Sequence, residues 1–408
     1  MSVTAADAAS CALHDAGTCR SCPHLSLPMP DQLAAKQSRV AALLAEHVPA
    51  ELWQAPAASA PTGFRNKAKM AVAGTAAHPT LGILDGAGCG VDLRTCPLHV
   101  PAIEAALPVL ADLITELGLR PYDVPTRRGE LKYVLVTASP DDDLMVRFVL
   151  RSRHHLERLR AALPDLHRRL PQLAVAAVNI QSVHQAVIEG SEEIVLTEED
   201  RLLMRLSLPS PDGGSRAGRR AESVELPLYL PTRSFFQTNT AVAEALYATA
   251  RDWAEEAEPA RVWDLFCGVG GFALALEAPG RQVLGVEVSA SAIDGARAAA
   301  DLMGLDPALV RFEAGDARVL DPAAGERAGG AQRPDLLVVN PPRRGIGEQL
   351  ATRIEASGVE RVLYSSCNPR TLAADLAHLP SMRVVRSRLF DMFPHTDHAE
   401  VLVELVRD

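Results

Sequence analysis

Two groups of residues carry chemistry that a packed core does not need. The first is Leu363-Tyr364-Ser365-Ser366-Cys367-Asn368-Pro369-Arg370, an apolar run ending on a cysteine and a chain-turning Asn-Pro. A strand from about Val359 to Tyr364 presents Cys367 just past its carboxyl end, where open α/β sheets put their ligands. A thiol placed there can serve as a nucleophile, although a lone cysteine is more often a buried hydrophobe. The second group is Cys11, Cys19 and Cys22, spaced C-x7-C-x2-C, with Cys96 following at long range. Four thiolates hold either a tetrahedral zinc or a [4Fe–4S] cluster, and spacing alone does not choose between them. Zinc sites usually pair two C-x2-C knuckles; the single knuckle here leans toward the cluster. Cys89, close before Cys96, reads as structural.

The elements that must position Cys367 are those of a nucleotide-binding half. Val262-Trp263-Asp264-Leu265-Phe266-Cys267-Gly268-Val269-Gly270-Gly271-Phe272 is a strand breaking into a glycine turn and an alanine-rich helix. Such a turn lets backbone N–H groups approach a ligand. Further on, Val283-Leu284-Gly285-Val286-Glu287 ends a second strand on a carboxylate placed to accept from ribose hydroxyls. The turn reads D-x-F-x-G-x-G-G rather than G-x-G-x-x-G, and no second dinucleotide half follows. With Asp316 closing a third strand region, the pattern resembles a Rossmann-like S-adenosylmethionine-dependent methyltransferase. A fourth strand, Asp335 to Val339, delivers Asn340-Pro341-Pro342-Arg343-Arg344-Gly345.

These motifs, with Ser234-Phe235-Phe236-Gln237-Thr238-Asn239 and the tail His395-Thr396-Asp397-His398-Ala399-Glu400, resemble the RNA uracil-C5 methyltransferases over nearly the whole chain, most closely their 23S ribosomal RNA branch. The resemblance implies methylation of C5 of a uridine in 23S rRNA, uracil 747, to 5-methyluridine. It implies Cys367 as the nucleophile and Glu400 as the base. It also implies S-adenosylmethionine contacts from Gln237, Phe266, Glu287 and Asn340, with Asp316 near the adenine, and a [4Fe–4S] cluster on Cys11, Cys19, Cys22 and Cys96. One departure is Asn340, where many members have Asp. Read from residue type alone, Glu400 is as consistent with a surface carboxylate at a strand start, and Phe235 and Phe236 with packing. Another rRNA or tRNA uridine, and a non-catalytic iron–sulfur RNA-binding protein, remain alternatives. Amine methylation leaves the cysteine without a role, and the RNA cytosine-C5 enzymes carry a Pro-Cys that is absent here.

At 408 residues with 48% hydrophobic content, the chain can build two or three cores. No apolar run approaches the roughly 18 residues of a membrane span, so a cytoplasmic protein is expected, and a monomer. Seven cysteines, an odd number without a secretory signal, argue for metal binding or catalysis rather than disulfides. A net charge of −10 is unusual for a protein that binds phosphates. Local basic surface must then serve: Arg65, Lys67 and Lys69; Arg127, Arg128 and Lys132; or the arginines from Arg151 to Arg169, which read equally well as a solvated helix face.

Periodicity predicts helices over Asp31 to His47, Ile103 to Leu117, His154 to Leu170 and Thr240 to Glu256. It predicts strands over Gly63 to Val72, Tyr133 to Ala138, Leu144 to Leu150 and Leu173 to Ile180, and an antiparallel pair near Val384 to Phe390 and Ala399 to Val406. Pro209 to Arg220 and Gly325 to Pro334 read as loops. The expected organisation is a cluster-binding segment, 1–99, a central α/β RNA-binding domain, 100–235, and a methyltransferase domain, 236–408. With only ten residues before Cys11, the N-terminal RNA-binding barrel of some relatives is not expected.

Overall fold

The structure is a computed structural model that describes residues 9–184, 187–209, 223–319 and 333–408. The loops expected at Pro209 to Arg220 and Gly325 to Pro334 lie almost wholly outside these residues. Two compact units gather the described chain, one holding residues 9–23 and 61–204, the other residues 24–60 and 205–408. Helix α1 (Ala12–Asp15) belongs to the first and α2 (Met29–Leu43) to the second. This differs from the three consecutive segments read from the sequence, because residues 24–60 leave the cysteine-bearing segment and cluster with the catalytic motifs.

The first unit is built on seven strands: β1 (Lys67–Gly74), β2 (Pro79–Leu84), β3 (Gly90–Asp92), β4 (Leu131–Ala138), β5 (Leu144–Leu150), β6 (Leu173–Ile180) and β7 (Glu192–Val195). Their order is β3-β2-β1-β4-β5-β6-β7. Alternation along β1 sends Ala68, Met70 and Val72 into a core shared with α3 (Pro101–Glu116) and α4 (Leu156–Arg169), while Lys67 and Lys69 take the other face. The strand expected from Gly63 begins only at Lys67. Gly63 has φ +62°, and Gly63 and Arg65 donate their N–H groups to Pro97 and Leu98 O, which diverts this stretch from the sheet.

Strands β8 (Arg201–Pro209) and β9 (Ser223–Pro231) form a two-stranded sheet. After α5 (Thr240–Ala257), strands and helices alternate: β10 (Arg261–Leu265), α6 (Gly271–Ala275), β11 (Gln282–Glu287), α7 (Ala290–Leu302), β12 (Val310–Ala314), β13 (Leu336–Val339), α8 (Gly347–Ser357), β14 (Arg361–Ser366) and α9 (Pro369–Leu376). The chain then ends in β15 (Met382–Phe390) and β16 (Glu400–Arg407). The sheet order is β12-β11-β10-β13-β14-β16-β15, with β10 to β14 parallel and β16 antiparallel to both neighbours. The strand order reverses between β10 and β13, which opens a crevice at their carboxyl ends. Phe266, Glu287, Asn340 and Cys367 all lie at carboxyl ends of these parallel strands. Because β16 runs the opposite way, its first residue, Glu400, arrives at that same edge.

Candidate active site

The glycine turn after β10 owes its shape to left-handed backbone. Phe266, Gly268 and Gly270 have φ of 69°, 54° and 86°. Phe266 occupies a region unfavourable for a residue with a Cβ, and its N–H and that of Cys267 are tied to Val286 O at 3.0 and 3.1 Å. Gly271 admits no side chain, since a Cβ there would stand 2.5 Å from the Tyr247 hydroxyl oxygen. Beneath the turn, fully buried Asp264 accepts the N–H of Ala273 through Oδ2 at 2.9 Å, and its Oδ1 has no partner. Burial pushes its carboxyl up to about 8, with Glu287 adding to the rise.

Glu287 accepts the Ser289 N–H at 3.0 Å and stays half-exposed, so part of its carboxylate is open to a ligand. Gln237 and Phe236 are buried, whereas Phe235 is 72% exposed and is therefore not explained by packing. Asp316 is paired with Arg318 through Oδ1 at 2.9 Å and Oδ2 at 2.6 Å, and that pairing lowers its carboxyl to about 2.

Cys367 sits between β14 and α9, and Asn368 caps the helix by accepting the Arg370 N–H at 3.2 Å. Burial raises the thiol, the Glu400 charge raises it further, and the Arg343 guanidinium, hydrogen-bonded to the sulfur, pulls it down. Arg343 is itself held from behind. Its carbonyl accepts from Asn368 Nδ2 at 3.0 Å and Thr371 Oγ1 at 3.2 Å. Buried Asp375 anchors the following loop by accepting the N–H groups of Ile346 and Gly347 at 2.9 and 3.0 Å, together with the Tyr364 hydroxyl. Gly345, at φ 77°, is required there, because a Cβ would fall 2.2 Å from Asp375 Oδ2. In front of the thiol is a pocket of about 200 Å³ whose lining includes Arg39, Val40, Arg343, Cys367, Asn368 and His398.

The antiparallel register of β14 and β16 pairs Ser366 with Val401, so Glu400 stands one step on, opposite Cys367. Glu400 is 2% exposed, and burial pushes its carboxyl up to about 7 against a hydrogen bond from Ser365 Oγ. Ser365 also receives Asn340 Nδ2 at 3.4 Å, which links β13, β14 and β16 through one polar row. The arrangement brings together a thiol, a guanidinium on that thiol and a carboxyl group poised near neutrality, the parts needed for nucleophilic addition and proton removal.

Cys11, Cys19, Cys22 and Cys96 are all half-buried and fall in the other unit. The Cys22 thiol is pushed up to about 11, first by burial and then by Cys96, Cys19 and Cys11, while Arg65 opposes the rise. Cys22 thus senses each of the other three. Among the described residues, no three or more His, Cys, Asp or Glu side chains are grouped to hold a metal ion. Cys89 is exposed on the β2–β3 hairpin.

Residues 225–408 match the family described as tRNA (Uracil-5-)-methyltransferase. The 23S rRNA (uracil(747)-C(5))-methyltransferase RlmC of Halothiobacillus neapolitanus is 49% identical over 97% of this chain and 99% of its own. The chain belongs to the RNA uracil-C5 methyltransferases. The Escherichia coli K12 enzyme of the same name is 45% identical over 97% of this chain and 99% of its own. Among solved structures, Pyrococcus abyssi tRNA (uracil-54, C5)-methyltransferase in complex with S-adenosyl-L-homocysteine has a TM-score of 0.74 at 23% identity, covering 94% of this chain and 85% of that one. The shared fold is that of the class I S-adenosylmethionine-dependent methyltransferases.

For a uracil-C5 methyltransferase, the structure adds residues whose roles the sequence reading did not find. Arg343 follows the two prolines, but nothing in spacing shows that its guanidinium reaches Cys367. Ser365 and Asp375 act through register and helix docking, which no local pattern reveals. The arginines of 151–169 are largely engaged: Arg151, Arg153, Arg160, Arg168 and Arg169 pair with Glu130, Glu192, Glu157, Asp165 and Glu116. That favours a solvated, self-paired surface over a dedicated phosphate track. No helix among the described residues is long and apolar enough to cross a membrane.

Proposed function

We propose that this chain methylates C5 of uracil 747 in 23S rRNA through a covalent Cys367 adduct, the activity named for its nearly full-length relatives. The observation that carries the mechanism is the Cys367–Glu400 juxtaposition across β14 and β16, with Arg343 on the sulfur. C5 of uracil is a weak nucleophile. Adding the Cys367 thiolate to C6 makes an enolate with electron density on C5, which then takes the methyl group of S-adenosylmethionine. Arg343 favours the thiolate by hydrogen bonding and charge, against burial. Glu400, poised near 7, removes the C5 proton, and the C–H electron pair forms the C5=C6 bond as the thiolate leaves.

Gln237, Phe266, Glu287 and Asn340 are assigned to the methyl donor. Glu287, half-open at the end of β11, suits ribose hydroxyls. Asp316 is the weaker member of this set, since its carboxylate is engaged by Arg318. Exposed Phe235 offers a face on which an unstacked base can rest.

Cys11, Cys19, Cys22 and Cys96 are assigned to a [4Fe–4S] cluster. A tetrahedral zinc with Zn–S bonds of about 2.3 Å needs its sulfurs about 3.8 Å apart. A four-iron cluster gives each thiolate its own iron and spreads them wider. The single C-x2-C knuckle completed by one late cysteine favours the cluster. A monomer working in the cytoplasm, where ribosomal RNA is made, completes the reading.

The test is transfer of radioactive methyl to 23S rRNA lacking this modification. The parent protein should label uracil 747, and Cys367→Ala should label nothing while still binding S-adenosylmethionine in calorimetry. Label at a different uridine would correct the target. Methyl transfer by the alanine variant would remove the covalent mechanism.

A further inference from the structure

Glu400 sits in a hydrogen-bonded row whose polarity can be deduced. A serine hydroxyl carries one proton, and Ser365 directs it to Glu400 Oε1. Toward Asn340 Nδ2, 3.4 Å away, Ser365 Oγ therefore acts as acceptor. The row runs Asn340 to Ser365 to Glu400, with every donor aimed at the carboxylate. Ser365 is 0% exposed, so bulk water does not replace its hydroxyl. The other ionisable groups that sense Glu400 are the Cys367 thiol and the Tyr247 hydroxyl of α5, each raised by its charge, and Asp264 acts on Tyr247 as well. Cys367 and Tyr247 are both acids raised by the Glu400 charge, so neither is a cation that could hold Glu400 ionised, whereas the Ser365 hydroxyl donates to it.

We propose that Ser365 is a positioning residue for proton removal, its hydroxyl, steadied by Asn340, holding Glu400 ionised and oriented beside Cys367. The inference rests on Glu400 being the base. Addition of the thiolate to C6 and methyl transfer to C5 precede the step concerned. In that step the C5 proton passes to Glu400, the C–H pair becomes the C5=C6 bond, and the sulfur leaves with its own electron pair. Removing the Ser365 proton leaves the ionised carboxylate without its donor, so more of Glu400 is protonated at neutral pH and elimination slows.

The experiment compares wild type, Ser365→Ala and Ser365→Thr across about pH 6 to 9 on a 23S rRNA fragment, reading kcat and the covalent protein–RNA adduct on denaturing gels. For Ser365→Ala the acid limb of kcat should move up by about one to two pH units, the worth of a hydrogen bond to a charged group. Adduct should accumulate at neutral pH, KM for S-adenosylmethionine should hold, and activity should recover at high pH. Ser365→Thr, which keeps the hydroxyl, should restore the limb. An alanine variant with an unmoved limb and no extra adduct, while Glu400→Gln does accumulate adduct, overturns the role of Ser365 alone. A Glu400→Gln enzyme that turns over, or stops without adduct, overturns the assignment of the base and this inference with it. If the alanine variant fails to bind cofactor, Ser365→Cys carries the test. A thiol is a much weaker donor than a hydroxyl, so the limb must again move up, and an unmoved limb rejects the proposal.

Discussion

Glu400 and Asp264 are carboxyl groups that the fold buries without a cation on them, and this has a consequence for stability. Below the ordinary carboxylate range, both the folded and unfolded chains hold these protons, and no penalty arises. As pH rises, the unfolded chain releases them first, while Glu400 holds its proton to about 7 and Asp264 to about 8. Stability therefore falls with rising pH until the folded groups ionise in turn. For Glu400, a rise from 4.5 to about 7 corresponds to roughly 3 kcal/mol lost across that window. Glu400→Gln does not titrate, so its urea midpoint should fall less than the parent's between pH 5 and 8. A parallel decline in both proteins would show that Glu400 is not buried as an acid. Cys367 was legible in the sequence as a candidate, standing just past a strand, and Glu400 became one through the family resemblance. Arg343 and Ser365 were not legible, since their roles depend on which atoms the sheet register sets side by side.

At the scale of elements, the alternating strands and helices of the catalytic unit follow closely from periodicity, and the antiparallel pair at the end was also anticipated. Helix α2 was legible as a helix but not as part of this unit. Its partners lie more than 350 residues away, a separation that local pattern does not register. Gln32, Lys36 and Arg39 fall on one face at i, i+4 and i+7 and grip the segment leading to Glu400. Gln32 meets His395 at Nδ1 and N–H, 3.1 and 3.0 Å away, Lys36 donates to Asp391 at 2.5 Å and Phe393 O at 3.0 Å, and Arg39 pairs with Asp397 at 2.5 Å. Lys36 and Asp391 are both almost wholly buried. Lys36→Met keeps the packing but strands a buried carboxylate, which costs about 3–5 kcal/mol by chemical denaturation. Adding Asp391→Asn should return part of that loss. A single-variant cost below about 1 kcal/mol would mean that water reaches the pair and that α2 does not brace the Glu400 segment through it.

Over the whole molecule, the cysteines divide by unit: Cys267 and Cys367 lie in the catalytic unit, and the other five lie in the unit of residues 9–23 and 61–204. Composition could count these thiols but not say which unit holds each. The chain leaves that unit after Pro23 and returns at Pro61, so joining Cys22 to Cys96 closes a loop that contains α2. Closing a loop of this length restricts the unfolded chain by about 4 kcal/mol on the chain-entropy account used for cross-links. Methyl transfer from a sulfonium is redox-neutral, so the quartet is assigned to structure rather than to electron transfer. Anaerobically purified protein should then be brown with about four irons per chain, and chelation or replacement of Cys11, Cys19, Cys22 or Cys96 should remove the colour and lower the thermal midpoint together. Cys89→Ser should change neither. One stoichiometric zinc in colourless protein would keep the ligands and change the metal. Iron lost on changing Cys89 but kept on changing Cys96 would reassign the fourth ligand, and full thermal stability after complete iron loss would remove the loop-closing role.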